Sequence, residues 1–242
     1  METPLKIAVL LNGFASPNTP AIKHSYELAI SSASSFISDI TPPTITFYDP
    51  IVEQIYPDSA RFDLIVLSGG TADPMGDDVW VRKLQKYLQT TVQEFPKQKI
   101  VGICWGHQTI SVSFGGIVGS MEGAAEVGVT SIFLTAEGKK MFPFASDGAV
   151  RLHEFHAREI RTPAKGFIAL AEGNQSFLSA SNTILTFQGH PEVNEDMARK
   201  MLARPSAYMG IDEKRKIDLL AKSGMDHDGV KVWARILEWV RE

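Results

Sequence analysis

The 242-residue chain holds a single cysteine, Cys104. No internal disulfide can form, so packing and hydrogen bonds must hold the fold, and the thiol is left free for chemistry. Long hydrophobic runs are missing too: none approaches the ~18 residues that span a bilayer, and no membrane partner is expected. Basic residues are not in excess. With 24 Lys and Arg against 28 Asp and Glu the net charge is -4, and no basic arm is present, which argues against a nucleic-acid partner. The first residues, Met1 to Lys6, carry neither the charged nor the apolar region of a signal peptide, so a reducing, cytoplasmic setting is the expectation. Internal repeats, low-complexity segments and a G-x-x-x-x-G-K-[ST] phosphate loop are all lacking. What remains is ordinary globular composition, 44% hydrophobic and 21% charged, long enough to bury the core of one α/β domain over residues 1–242.

Apolar strands alternate with amphipathic helices through the first half. Lys6 to Asn12, Thr44 to Tyr48 and Phe62 to Leu67 read as strands, the last with the continuous hydrophobicity of a parallel strand covered on both faces. Helical spacing runs over Ala21 to Ile40, where Thr41-Pro42-Pro43 stops it, and over Val79 to Glu94 ahead of Pro96. From Val127 to Phe187 five short β-like segments follow closely, which predicts an antiparallel extension. Three helices are expected at the end, over Asn194 to Arg204, Asp212 to Ala221 and Asp228 to Val240, as sheet cover with Trp233, Ile236, Leu237 and Val240 on one face. The predicted class is α/β, a three-layer open, mainly parallel sheet with helices on both faces, in which ligands gather at the carboxyl ends of strands.

One such end stands apart. The strand Ile100 to Ile103 runs into Gly102-Ile103-Cys104-Trp105-Gly106, a G-x-C-x-G pattern, and residues able to start a helix follow at once. That is the pattern of a nucleophile elbow, in which small flanking residues let the chain double back and lift the central side chain. The N–H groups of the new helix favour negative charge, which suits a thiolate and an oxyanion. A thiol nucleophile needs a base and a group to orient it. Gln188-Gly189-His190-Pro191-Glu192 offers both: in extended chain i and i+2 share a side, so Glu192 can orient the His190 imidazole, and Pro191 stiffens the link. His153 and His156 form H-x-x-H, but three residues apart on a strand they face opposite sides, and no metal site is expected. They are expected to line or flank the cleft.

The Gly102 to Gln108 and Gln188 to Glu192 motifs, with Leu67-Ser68-Gly69-Gly70 ahead of them, resemble the class I glutamine amidotransferase family over about residues 60–195. Asp77 to Val81, Glu126 to Val129 and Asp226 to Val230 are similar to its stand-alone branch, which is like the amidotransferase domain of GMP synthase and includes γ-glutamyl peptidases. The resemblance implies a flavodoxin-like fold and a catalytic triad of Cys104, His190 and Glu192. It further implies an oxyanion hole from the backbone of Gly70 and Trp105, and substrate contacts from Gly69, Gln108 and the Glu126-Val127-Gly128 backbone. Thr71 departs from the proline that many members have there. A small γ-glutamyl substrate and no cofactor are implied, with an acceptor or synthetase protein left open as a partner, because the chain itself has no room for an ATP-dependent module.

The implied reaction is hydrolysis of a γ-glutamyl amide through a γ-glutamyl thioester. Two other readings stand beside it. An ammonia-supplying or regulatory subunit would act only with a partner. A cysteine-bearing α/β-hydrolase acting on an ester or lactone would place its acid before a distant histidine, whereas here the two are adjacent.

Overall fold

The computed structural model describes residues 3–203 and 213–242. Its centre is a seven-stranded sheet whose first three strands are β1 (Lys6–Leu10), β2 (Thr44–Tyr48) and β3 (Leu64–Leu67). These pair in parallel, and β4 (Lys99–Ile103) continues the run beside β3. Strands β5 (Ile117–Ser120), β6 (Glu126–Phe133), β7 (Ala149–His156) and β8 (Arg158–Thr162) leave this sheet and form two antiparallel pairs, β5 with β8 and β6 with β7. The chain then returns. Strand β11 (Ile184–Phe187) lies parallel to β4, and β10 (Ser176–Ser179) and β9 (Phe167–Ala169) add the antiparallel edge, giving the order β2-β1-β3-β4-β11-β10-β9.

Every residue of β3 and β11 is buried, as expected of strands covered on both faces. The faces alternate. Ile7, Val9, Leu64, Val66, Val101 and Ile103 point to one core, which α1 (Thr19–Ser34) and α7 (Gly229–Val240) close with Tyr26, Ile30, Trp233 and Ile236. Ala8, Leu10, Ile65 and Leu67 point to the other, closed by α2 (Val79–Glu94) and α3 (Trp105–Ser113) with Val81, Leu84, Leu88 and Ile110. A short helix, α4 (Ala136–Met141), links β6 to β7 and adds Met141 to the first core.

The structure departs from the sequence expectation in four places. Helix α1 stops at Ser34, six residues before Ile40; Ser34 and Ser35 turn their hydroxyls back to the carbonyls of Ser31 and Ser32, and Phe36 beyond them is exposed. Strands β5 and β8 lie where no periodicity announced them, and α4 was likewise unmarked. Of the C-terminal helices only α7 covers the main sheet. Helix α5 (Glu195–Leu202) packs against Ala21 and Ile22 at the start of α1, and α6 (Glu213–Lys222) packs through Leu219 on Val127 of β6. Arg204 and Asp212, the expected ends of two of these helices, lie outside the described residues.

Candidate active site

The carboxyl ends of β1, β3, β4 and β11 converge on one cleft of about 300 Å³, lined among others by Gly13, Gly69, Cys104, Phe155, His190 and Glu192. Asn12 joins two of these ends, its N–H donating to Ser68 Oγ at 2.9 Å and its Nδ2 to the Ser68 carbonyl at 3.0 Å.

Cys104 caps α3 with φ 52° and ψ -104°, a backbone region sparsely used by residues that carry a Cβ. Two glycines permit this turn. A Cβ at Gly102 would lie 2.6 Å from Ile110 Cδ1, and one at Gly106 would collide with the Leu67 carbonyl, so only glycine lets α3 lie this close to β3 and β4. The main chain holds the elbow between strand and helix: Cys104 N–H donates to Phe187 of β11 at 2.8 Å, and its carbonyl accepts from Gln108 N–H at 3.1 Å. The thiol lies 3.8 Å from the Phe155 carbonyl. The N–H of Trp105 belongs to the first turn of α3, which has no intrahelical acceptor for it.

His190 and Glu192 follow β11 directly, and the His190 N–H donates to the His153 carbonyl of β7 at 2.9 Å. The Glu192 carboxylate lies 2.7 Å from His190 Nδ1. A carboxylate can only accept, so Nδ1 carries the proton and Nε2, buried and without a protein partner, is the basic nitrogen of the neutral ring. Burial pulls this imidazole's pKa down, but Glu192 and Cys104 more than offset it and hold the group well above its ordinary range. Gly69 completes the arrangement: a Cβ there would sit 2.8 Å from His190 Cε1 and 3.7 Å from Cys104 Cβ, so the Gly69 main chain lies against both side chains.

Gln108 lines the same cleft one turn into α3. Its Nε2 donates to the Arg158 carbonyl at 2.9 Å and to Gln188 Oε1 at 3.0 Å, so both amide hydrogens are used inside the protein and Oε1 is the atom left for a ligand. Trp105 turns its side chain away, stacking on Trp80 at 5.1 Å and donating Nε1 to the Ala72 carbonyl at 2.9 Å.

Glu126, Val127 and Gly128 do not line the cleft. They begin β6, where Val127 packs with Ala125, Leu202 and Leu219, and Gly128, at φ 95°, faces Leu219 and Lys222 of α6. Glu126 is joined to the site through His156, its Oε2 lying 2.8 Å from Nε2 of that ring.

His156 itself lines the cleft, and its charge state follows from its partners. Nδ1 sits 2.9 Å from the Arg158 carbonyl, which can only accept; Nε2 sits 2.8 Å from Glu126 and 3.3 Å from Glu154. Burial works against a charge here, but the two carboxylates outweigh it and push the ring's pKa up to about 10. These three groups, whose ligand atoms lie within 4.8 Å of one another, form an imidazolium between two carboxylates. His153, packed 4.8 Å from the His227 ring, is the opposite case: burial first, then the His227 and His190 rings, push it down to about 3.

Sequence reasoning did not single out Arg158, Tyr26 or the α5 side chains Met197 and Met201, all of which line the cleft. Arg158 sits in an unrecognised strand, while Tyr26 and the methionines fall on helical spacing that reads as core. Nothing local marks them.

Comparisons with known proteins identify the family. The family model described as glutamine amidotransferase class-I matches residues 36–206. The glutamine amidotransferase-like protein chyE of Penicillium rubens is 37% identical, covering 98% of each chain, and gamma-glutamyl peptidase 5 of Arabidopsis thaliana is 28% identical over 64% of each. A crystal structure of a glutamine amidotransferase from Thermotoga maritima superposes with a TM-score of 0.74 over 100% of both chains at 16% identity, which is likeness of fold. From the matched region, the full-length relative and the elbow on its parallel sheet, this chain belongs to the class I glutamine amidotransferase family and is an enzyme of the hydrolase and amidotransferase kind.

Proposed function

We propose that the protein is a cysteine amidohydrolase that cleaves the amide of glutamine or of another γ-glutamyl compound. The observation that carries the reading is the Cys104 elbow facing His190, whose Nδ1 is held at 2.7 Å by Glu192 and whose Nε2 is free to take and return a proton. The likeness to gamma-glutamyl peptidases supports the γ-glutamyl part.

In this reading the His190 imidazole takes the thiol proton and Cys104 Sγ attacks the γ-carbonyl, forming the C–S bond. The Gly70 and Trp105 N–H groups receive the oxyanion, and preorganised donors of this kind are worth about 10²- to 10³-fold in rate. Nε2 then gives its proton to the nitrogen, the C–N bond breaks and the amine leaves. Water deprotonated by His190 attacks the thioester, the C–S bond breaks, and glutamate departs as the thiolate is reprotonated. Glu192 keeps the ring oriented and favours its charged form in both halves.

The test is glutamate release from glutamine and from γ-glutamyl dipeptides by the isolated protein, with mass spectrometry of Cys104. Release, a γ-glutamyl adduct on Cys104 and loss of both in Cys104→Ala are expected. No release from any γ-glutamyl amide, with Cys104 unmodified by a glutamine-mimicking chloroketone, would refute the reading. Cleavage only after another protein is added would instead favour an ammonia-supplying subunit.

A further inference from the structure

The cleft beside Cys104 has two chemically different ends. At one, Gln108 and His156 both donate to the carbonyl of Arg158, at 2.9 Å each, and the Arg158 guanidinium reaches the Ala72 carbonyl at 3.2 Å. This end is polar and carries the Arg158 guanidinium, while the His156 imidazolium is paired with Glu126 and Glu154. The other end begins at His190 and Glu192 and continues along the chain through Val193 into α5, where Met197 and Met201 pack with Ile22 of α1, and Tyr26 and Leu202 also line the opening. Val193, Met197 and Leu202 are buried, and Met201 and Ile22 partly so. Among the described residues, no charged side chain lines the stretch beyond Glu192; the polar groups there are the uncharged hydroxyls and amide of Ser16, Asn18, Thr19, Ser25 and Tyr26.

The direction of the reaction assigns the ends. The proton that releases the amine comes from His190 Nε2, so the departing nitrogen must lie on the His190 side, and whatever that nitrogen carries projects toward α1 and α5. The glutamyl moiety, with its α-carboxylate, lies at the other end, beside Gln108 and the Arg158 guanidinium. With ammonia as the leaving group, no part of the substrate would cover the apolar wall. An apolar substituent on the nitrogen would cover it, and two methionines adapt readily to its shape.

We propose that the preferred substrate is the γ-glutamyl amide of an apolar amine, its hydrocarbon part lying between α1 and α5, rather than glutamine itself. This rests on the γ-glutamyl chemistry proposed above, and the experiment separates the two.

A homologous series of γ-glutamyl n-alkylamides, from methyl to hexyl, has leaving amines of matched basicity, so differences in rate report binding of the chain. Glutamate release by the full chain is measured for the series and for glutamine. The expected result is a kcat/KM that rises by about fourfold per methylene until the wall is covered, the value of one buried methylene. All of these amides should exceed glutamine, and Met201→Gln and Ile22→Asn should each flatten the dependence on chain length. Hydrolysis of glutamine with no dependence on chain length, or with a fall along the series, overturns this proposal and leaves the amidohydrolase reading standing. No glutamate from glutamine or from any alkylamide, with Cys104 unacylated, overturns both.

Discussion

His156 is buried between two carboxylates with its other nitrogen bound to a carbonyl, so both ring nitrogens must carry hydrogen. Its folded pKa of about 10 lies above the ordinary 6.5, and the sign of the consequence follows. The stabilisation is complete below pH 6.5 and is lost as pH rises through about 10. The proton NMR signals of His156 should therefore stay those of an imidazolium from pH 6 to 9, and Glu126→Gln should lower the ring's pKa. Titration of this ring near 6.5 in the folded protein would contradict the assignment. His190 depends on a carboxylate in the same way through Glu192. His190 and Glu192 could be picked from the sequence because two residues apart on extended chain is a local relation. Glu154 stands in the same local relation to His156, two residues before it on β7, but Glu126 could not be joined to His156 that way, since it reaches the ring across the β6–β7 pairing.

At the scale of elements, the turn from β4 into α3 stores backbone strain at one position. Cys104 at φ 52° and ψ -104° costs about 1–3 kcal/mol relative to relaxed backbone. Replacement by alanine keeps that cost, whereas glycine relieves it at an entropic cost of roughly 0.5–1 kcal/mol. Chemical denaturation should find Cys104→Gly more stable than Cys104→Ala by about 1 kcal/mol, both lacking glutamate release; equal or reversed stabilities would mean that the elbow is unstrained. The elbow is legible from its glycines because each lies where a Cβ would strike a neighbour. The end of α1 is not, because apolar spacing continues through Phe36 and Ile37 while the serine hydroxyls before them close the helix at Ser34.

Across the whole molecule, one core ties the C-terminal helix to the cleft. Trp233 of α7 is fully buried and meets Tyr26 edge-on at 6.2 Å, and Tyr26 lines the cleft beside Glu192. Burial and then the Glu192 charge push the Tyr26 phenol up, so it stays protonated there. Trp233→Ala should cost about 3–5 kcal/mol in urea unfolding, as loss of a large buried aromatic does, and should lower kcat in whatever fraction remains folded. A cost below about 1 kcal/mol would show that α7 is only an appendage to the sheet.

The sequence by itself determined what local physics controls: strands hydrophobic throughout because both faces are covered, the glycines that let a cysteine stand on a tight turn, and a histidine with its acid two residues on. Tertiary structure alone decided what depends on distant segments meeting. It set Glu126 to Gly128 outside the cleft, used Gln108 Nε2 for internal bonds, brought Arg158 and His156 to one end of the site, and drew α5 against α1 to wall the other. Such contacts join residues tens of positions apart, and no period or spacing along a chain encodes which side chain will stand opposite them.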